Sequence, residues 1–202
     1  MEKIKIGVLV SGGGTNLQAL IDAQRSGVIK SGEITLVVSD RSDAYALTRA
    51  EKAGIKTAVV LKKDCADRAE FEDRLIAALR GSGVEFVVLA GFTAILGERF
   101  IREYSGRIIN VHPSLIPSFC GKGYYGLKVH EEALKYGVKV TGATVHFVNE
   151  IPDGGRIIMQ KAVAVEDGDT PEVLQRRVME QAEWIILPLS VEKICNKLKE
   201  TK

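Results

Sequence analysis

The stretch "IKIGVLVSGGGTNLQ", residues 4–18, joins an apolar run to a glycine-rich turn and then to a helical pattern. The run at 4–10 is apolar almost throughout, which indicates a strand covered on both faces, as in a parallel sheet. Consecutive glycines let the backbone approach a ligand closely, and a helix that follows presents free N–H groups and its dipole to an anion. The stretch therefore predicts the first strand, an anion-binding turn and the first helix of an α/β domain.

Apolar runs and helix-period stretches continue to alternate along the chain. Further strands are predicted at 33–39, 56–60, 86–91 and 107–111, followed by longer strands at 139–148 and 155–165. A C-terminal helix is predicted from Thr170, with an interruption at Pro188. We predict an α/β fold: an open, mostly parallel twisted sheet with helices on both faces, of Rossmann-like type. Since no linker or repeat is present, residues 1–202 are expected to form one domain.

Composition narrows the classes of function. The chain of 202 residues is 46% hydrophobic and 27% charged, as in ordinary globular proteins. A formal net charge of +2 without a basic cluster argues against nucleic acid and membrane partners. The three cysteines are widely spaced and no run approaches the ~20 apolar residues of a membrane span. We expect a cytoplasmic protein without a metal site.

Polar residues end the fifth predicted strand in "IINVHPSLIPSF", residues 108–119. Asn110 and His112 lie two positions apart, so their side chains should share one face of the strand. Such a pair could polarise a carbonyl group and move a proton, although a lone histidine is often only structural. Asp153 in "IPDGG" fits a turn, but a carboxylate beside His112 would also raise the pKa of the imidazole.

Ligands of open parallel sheets bind outside the carboxyl ends of the strands. The glycine turn, the segment "GFTAIL" at 91–96 and the Asn110–His112 pair each follow or end a predicted strand. We therefore expect them to line one crevice. Of the other two histidines, His130 is expected on the surface of a helix, and His146 in a structural or supporting position beside the site.

The glycine turn permits several interpretations. Thr15 and Gln18 fit a capping box, which would make the turn purely structural. Gly12, Gly14 and Asp40 partly match a dinucleotide fingerprint, but Leu17 occupies the place of its third glycine. A triphosphate loop would need a lysine after the glycines. A single phosphate held by backbone amides and the Thr15 hydroxyl suits the sequence best.

Five segments occur in an order that resembles the phosphoribosylglycinamide formyltransferase family: "SGGGTNLQ", "VVLAGFTAIL", "IINVHPSLIPSF", "GATVHFVNEIPDGG" and "QAEWIILP". The resemblance covers essentially the whole chain, and its His-Pro-Ser-Leu and Asp-Gly-Gly blocks are shared with a wider formyltransferase superfamily. It implies formyl transfer from 10-formyltetrahydrofolate to glycinamide ribonucleotide in purine biosynthesis, without a metal, by a monomer or homodimer. It further implies that the N-terminal half binds the nucleotide and the C-terminal half the folate.

The same resemblance implies roles for individual residues. Ribonucleotide binding falls to Gly14, Thr15, Asn16 and Glu183. For the folate, it implies that Arg68 binds the tail and that Asn110 also contacts the cofactor. Two walls would enclose the pterin ring: Thr93, Ala94, Ile95 and Leu96 on one side, and Asn149, Glu150, Ile151, Pro152 and Asp153 on the other. Catalysis falls to Asn110, His112 and Asp153, with Asp153 keeping His112 cationic while Asn110 and His112 stabilise a tetrahedral oxyanion.

The chain departs from the family pattern at three places. Many relatives have Met-Arg at the position of Thr93-Ala94, so a second arginine for the folate tail is absent. Trp184 replaces a usual histidine, and "FCGKGYYG" differs from the commoner loop, which leaves Cys120 and Lys122 without a role. Two rival functions stay open at this point: a formyltetrahydrofolate hydrolase, and a nicotinamide-nucleotide-binding protein that uses Gly12–Gly14 and Asp40.

Overall fold

A seven-stranded sheet forms the centre of the computed structural model, which describes residues 2–201. The strands are β1 Ile4–Val10, β2 Gly32–Ser39, β3 Lys56–Val59, β4 Phe86–Leu89, β5 Ile108–His112, β6 Val140–Phe147 and β7 Ile157–Ala164. The α-helices are α1 Thr15–Ser26, α2 Tyr45–Lys52, α3 Arg68–Gly81, α4 Glu98–Glu103, α5 Leu127–Tyr136, α6 Pro171–Val178 and α7 Trp184–Glu200. A 3-10 turn covers Lys62–Asp64 and a π-helical turn covers Met179–Glu183.

The strand order is β3-β2-β1-β4-β5-β6-β7. Neighbours from β3 to β5 run parallel, whereas β6 pairs antiparallel with both β5 and β7. This arrangement confirms the predicted open, mostly parallel sheet and the longer strands toward the C-terminus. The order reverses between β1 and β4, which creates the crevice where α/β sheets bind ligands.

Helices cover both faces of the sheet, as the near-continuous apolar strands predict. On one face, α1 and α7 pack through Leu20, Leu187 and other side chains against alternate residues of β1. On the other face, α3 and α4 pack through Leu75 and Phe100 against Leu9 and its neighbours. Removal of these side chains from water on both faces is the main source of stability of such a fold.

The C-terminal helical region begins as expected and is interrupted elsewhere. The Thr170 hydroxyl accepts a hydrogen bond from the Val173 N–H, and Pro171 takes the first helical position. The interruption expected at Pro188 is wrong: α7 continues through this proline, and the irregular π turn precedes it at Met179–Glu183. π turns often occur at functional sites, and this one carries Glu183 into the binding cleft.

None of the helices within residues 2–201 is both long and apolar enough to span a lipid bilayer.

Candidate active site

A cleft of about 800 Å³ opens at the carboxyl ends of β1, β4 and β5. Its lining includes Asn16 beyond the glycine turn, Thr93 after β4, and Asn110 and His112 at the end of β5. The prediction that these three segments share one crevice is therefore confirmed. Asp153 and Glu183 reach the same cleft from the later part of the chain, so both halves of the sequence contribute to it.

Asp153 lies between two imidazole rings. Its Oδ2 is 3.5 Å from His112 Nδ1, and its Oδ1 is 3.5 Å from His146 Nε2. The Gly121 N–H donates a 2.8 Å hydrogen bond to Oδ2. Asp153 has a φ of 56°, which is rare for a residue with a side chain and is best tolerated by Asp and Asn. The predicted meeting of His112 and Asp153 is confirmed.

Hydrogen bonds to main-chain carbonyls fix both imidazoles. His112 Nε2 is 2.8 Å from the Phe119 oxygen and His146 Nδ1 is 2.8 Å from the Phe147 oxygen, so each of these nitrogens carries a proton. His146 Nε2 then accepts from Asn110 Nδ2 at 3.3 Å. An amide has two N–H donors, so Asn110 keeps one donor for a ligand. His146 thus supports the site, as expected.

The protonation state of His112 differs from the expected one. Burial lowers the pKa of His112, and the nearby Asp153 carboxylate and Phe119 carbonyl offset this effect only in part. The ring is therefore neutral near pH 7, and the expectation that Asp153 keeps it cationic is wrong. Burial would raise the pKa of Asp153, but hydrogen bonding, including the bond from the Gly121 N–H, lowers it overall, so Asp153 stays ionised.

A buried hydrogen bond joins a residue just after the glycine turn to the π-helical turn near the C-terminus. Asn16 Nδ2 donates a 2.6 Å hydrogen bond to Glu183 Oε2, while Asn16 Oδ1 is buried without a partner within residues 2–201. Complete burial raises the pKa of Glu183, although the Asn16 hydrogen bond opposes the shift. The unsatisfied oxygen points to a missing hydrogen-bond donor, such as a ligand hydroxyl or amine.

The capping box that Thr15 and Gln18 would allow is not formed at this turn. Gly14, in the left-handed conformation at φ 72°, is the N-cap of α1, and Thr15 is already the first helical residue. No side chain caps the helix: Gln18 contacts Asp22 and Arg49 instead. The first N–H groups of α1 therefore have no intrahelical partner, which leaves them for an anion.

A smaller pocket of about 120 Å³ adjoins the cleft beside Asn110 and His146. Its lining includes Ala94, Ile95 and Leu96 together with Asn149, Glu150, Ile151, Pro152 and Asp153, which the family resemblance assigns to a pterin pocket. Thr93 differs from the prediction, since it lines the main cleft and a second groove rather than this pocket.

The second groove has a volume of about 550 Å³ and is lined by Arg68, which the sequence predicted, and by Lys62, which it did not. Arg68 Nε is paired at 2.9 Å with the buried Glu72, which compensates much of its charge. Lys62 lines the same groove and lies 5.5 Å from the Phe71 ring centroid. Sequence reasoning missed Lys62, because only the fold brings the 3-10 turn beside Arg68.

His130 is fully buried in α5, so the surface position expected for it is wrong. Neither ring nitrogen has a hydrogen-bond partner in the part of the chain that the structure describes, and the ring lies along the cleft. Burial lowers the pKa of His130 to about 4. Its spacing from Ala133, three residues on the same helical face, was a signal of burial that the sequence offered.

His130 should make the fold sensitive to acid. Its pKa falls from 6.5 to about 4 on folding, so the unfolded chain binds the proton first as pH decreases. The stabilisation is complete above pH 6.5 and is lost toward pH 4, with a total on the order of 3 kcal/mol. Urea unfolding of the wild type and His130→Leu at pH 7 and pH 4.5 checks this. Equal losses of stability in both proteins would contradict it.

The chain is similar to proteins of a known family. The formyl transferase family matches residues 4–190. Phosphoribosylglycinamide formyltransferase of Haemophilus influenzae is 42% identical over 188 residues, which cover 93% of this chain and 85% of the relative. The chain belongs to the phosphoribosylglycinamide formyltransferase family.

Two further relatives place the chain within this family. The crystal structure of glycinamide ribonucleotide transformylase 1 from Symbiobacterium toebii superposes with a TM-score of 0.91 at 42% identity, covering 96% of this chain and 89% of the other. The trifunctional purine biosynthetic protein adenosine-3 of Gallus gallus is 43% identical over 96% of this chain. The chain spans only 19% of the length of that trifunctional protein.

The geometry of the glycine turn does not support the alternative of a dinucleotide-binding site. Leu17, which replaces the third glycine of that fingerprint, is fully buried in the core. Asp40 lies outside the set of residues that line the main cleft, and its Oδ1 is buried. The nicotinamide-nucleotide alternative therefore loses the acid on which it depended.

The loop that departs from the family pattern closes one side of the cleft. Lys122, Tyr124 and Tyr125 line the cleft, and the Gly121 N–H holds Asp153. Cys120 Sγ donates to the Pro117 carbonyl at 3.3 Å, and burial raises the pKa of its thiol. The loop thus positions Asp153, and Cys120 is a protonated thiol at neutral pH.

Proposed function

We propose that the chain transfers the formyl group of 10-formyltetrahydrofolate to the primary amine of glycinamide ribonucleotide, giving formylglycinamide ribonucleotide and tetrahydrofolate in purine biosynthesis. The observation that carries this proposal is the placement of Asn110, His112 and Asp153 in one cleft with Asn16, which follows the glycine turn. The turn suits a phosphate, and the polar trio suits acyl chemistry at a carbonyl carbon.

The amine nitrogen attacks the formyl carbon, and the oxygen becomes an oxyanion. The free N–H of Asn110 donates to that oxygen, since the other N–H is directed at His146. Neutral His112 accepts the proton that the amine loses, and Asp153, 3.5 Å away, stabilises the resulting imidazolium. The carbon–nitrogen bond to the folate then breaks, and the leaving nitrogen takes the proton from His112.

The cleft offers separate places for the two substrates. Gly14, Thr15 and Asn16 would hold the phosphate and ribose end, with the free Asn16 Oδ1 and Glu183 accepting hydrogen bonds from the ribonucleotide. The pterin would occupy the smaller pocket between Ala94–Leu96 and Asn149–Asp153. Because Ile95 lines this pocket and also the Arg68 groove, the folate tail would continue into that groove.

One assay tests the proposed reaction against hydrolysis. Purified protein is incubated with 10-formyltetrahydrofolate, with and without glycinamide ribonucleotide, and tetrahydrofolate, formate and formylated ribonucleotide are quantified. We expect tetrahydrofolate and formylated ribonucleotide in equal amounts, and only when the acceptor is present. Formate release that is independent of the acceptor would instead identify a hydrolase.

Lys62 should contribute to binding of an anionic folate tail. Ala94 stands in place of a second arginine, and Arg68 is paired to Glu72. Lys62 forms no ion pair within residues 2–201, so it supplies a further positive charge in this groove, which Asp67 also lines. Lys62→Met should weaken binding of a polyglutamylated folate by up to about fivefold, the scale of an exposed ion pair. Binding of a folate analogue without glutamates should not change.

Lys63→Met is the matched control for Lys62, because Lys63 belongs to the same 3-10 turn but does not line the groove. Calorimetric titration of both variants with short and long tails separates the effects. The assignment fails if the two variants behave alike, or if Lys62→Met weakens both folates equally.

We also propose a cellular compartment and a class of partner for this chain. Three free cysteines, without a disulfide, support a reducing compartment such as the cytoplasm. The net charge of +2 supports small-molecule substrates rather than nucleic acid as partners.

A further inference from the structure

Helix α2 packs against the glycine turn and holds its backbone. The Ala46 N–H donates a 3.0 Å hydrogen bond to the Gly12 carbonyl. Arg49 Nε, one turn further along α2, donates a 2.8 Å hydrogen bond to the Gly13 carbonyl. A Cβ atom on Gly14 would lie only 2.6 Å from Ala46 Cβ, so α2 also packs directly on the turn.

These contacts fix the direction of the backbone N–H groups. In a trans peptide unit the C=O and N–H bonds point in opposite directions. Because the carbonyls of Gly12 and Gly13 point at α2, the N–H groups of Gly13 and Gly14 point away from it. They add to the free N–H groups at the start of α1, so that several donors become available to one anion.

Open space surrounds the first two glycines of the turn. A Cβ atom added to Gly12 or Gly13 would meet no atom within 4 Å, and neither glycine has a left-handed φ. Only Gly14 is required by its φ of 72° and by its contact with Ala46. Packing therefore does not explain the first two glycines, whereas close approach of a ligand does.

Arg49 brings a charge as well as a hydrogen bond. Its Nη1 donates to Gln18 Oε1 at 3.2 Å, and its guanidinium lies 5.0 Å from the Tyr45 ring centroid. No carboxylate forms an ion pair with Arg49 within residues 2–201. A positive charge held beside the turn favours an anion in the open space around it.

We infer that Arg49 is a positioning residue for the phosphate half-site: it orients the Gly13–Gly14 peptide so that its N–H faces the phosphate of the ribonucleotide. This inference rests on the proposed function, because it takes that phosphate as the ligand of the turn. Arg49 acts through the backbone and has no part in the chemical step.

Arg49→Met removes the charge and the hydrogen bond while keeping a long apolar side chain. We expect the KM for glycinamide ribonucleotide to rise about tenfold or more, the scale of one charged hydrogen bond, with kcat and the folate KM within twofold of wild type. Lys52→Met, which removes an exposed charge from the same helix, should leave all three constants unchanged. A purely structural role would alter both substrates or kcat together.

Two more variants cover the remaining outcomes. Arg49→Lys retains the charge without the planar guanidinium, and full recovery of the ribonucleotide KM would overturn the positioning role in favour of charge alone. Gly13→Ala adds a methyl group in the open space beside the turn, so it should weaken ribonucleotide binding without lowering the Tm. Unchanged binding by Gly13→Ala would overturn the placement of the ligand.

The result remains decisive if Arg49→Met folds poorly, because Arg49→Lys and Gly13→Ala can still be titrated with glycinamide ribonucleotide by calorimetry. A wild-type protein without formyl transfer would refute the proposed function. A wild-type protein that is active, with an Arg49→Met variant whose ribonucleotide KM is normal, would refute this inference alone.

Discussion

Asp153→Asn is expected to lower kcat by about 10²- to 10⁴-fold, the range of general acid–base assistance. The substitution preserves shape, and Asn tolerates the φ of 56° that would strain Ala. Its amide oxygen can still accept from the Gly121 N–H. What it removes is the charge that stabilises an imidazolium on His112, 3.5 Å away. Steady-state kinetics with both substrates measures the effect.

The control for this variant is Asp167→Asn, which neutralises an exposed carboxylate that pairs with Lys139 at the surface. It should keep wild-type turnover. If Asp153→Asn also turns over normally, Asp153 has no role in proton transfer. A pH profile adds a second test: Asp153 raises the pKa of His112, so its loss should move the acid limb of kcat further below pH 6.5.

His112→Ala is expected to lower kcat by at least about a hundredfold, with much smaller changes in the affinities for both substrates. The ring is the group in the cleft that can accept the amine proton and return it to the leaving nitrogen. Burial lowers its pKa, so it starts the reaction as a base rather than as a cation. Single-turnover measurements would show the loss in the chemical step itself.

His112→Gln distinguishes this role from packing. The glutamine amide can donate to the Phe119 carbonyl as His112 Nε2 does, but it cannot carry a proton between substrates. We expect it to be as inactive as His112→Ala and to be more stable. Recovery of substantial turnover in His112→Gln would show that the ring is needed only for structure.

Local sequence patterns predicted the elements and the edge at which the site forms. The strand from Ile4 to Val10 was correct at both ends, because an apolar run followed by glycines leaves little choice of boundary. Asn110 and His112 were placed on one face by the two-residue period of a strand. Both features depend on residues that are close together in the chain.

Contacts between distant segments could not be predicted in the same way. The hydrogen bond from Arg49 to Gly13 spans 36 positions and depends on how α2 packs beside the turn. The charge of His112 was misjudged because burial, which outweighs the effect of Asp153, is a property of the whole fold. His130 was misplaced because its face of α5 was not weighed against its neighbours.

The bond between Asn16 and Glu183 joins positions that are 167 residues apart. A chain emerging from the ribosome would complete the sheet strands β1 to β5 long before residue 183 appears. If this pair holds the ribonucleotide as proposed, a nascent chain that lacks residue 183 should bind it weakly. Ribosome-bound chains with a C-terminal extension long enough to place Glu183 outside the exit tunnel should bind the ribonucleotide, whereas chains stalled before residue 183 should not.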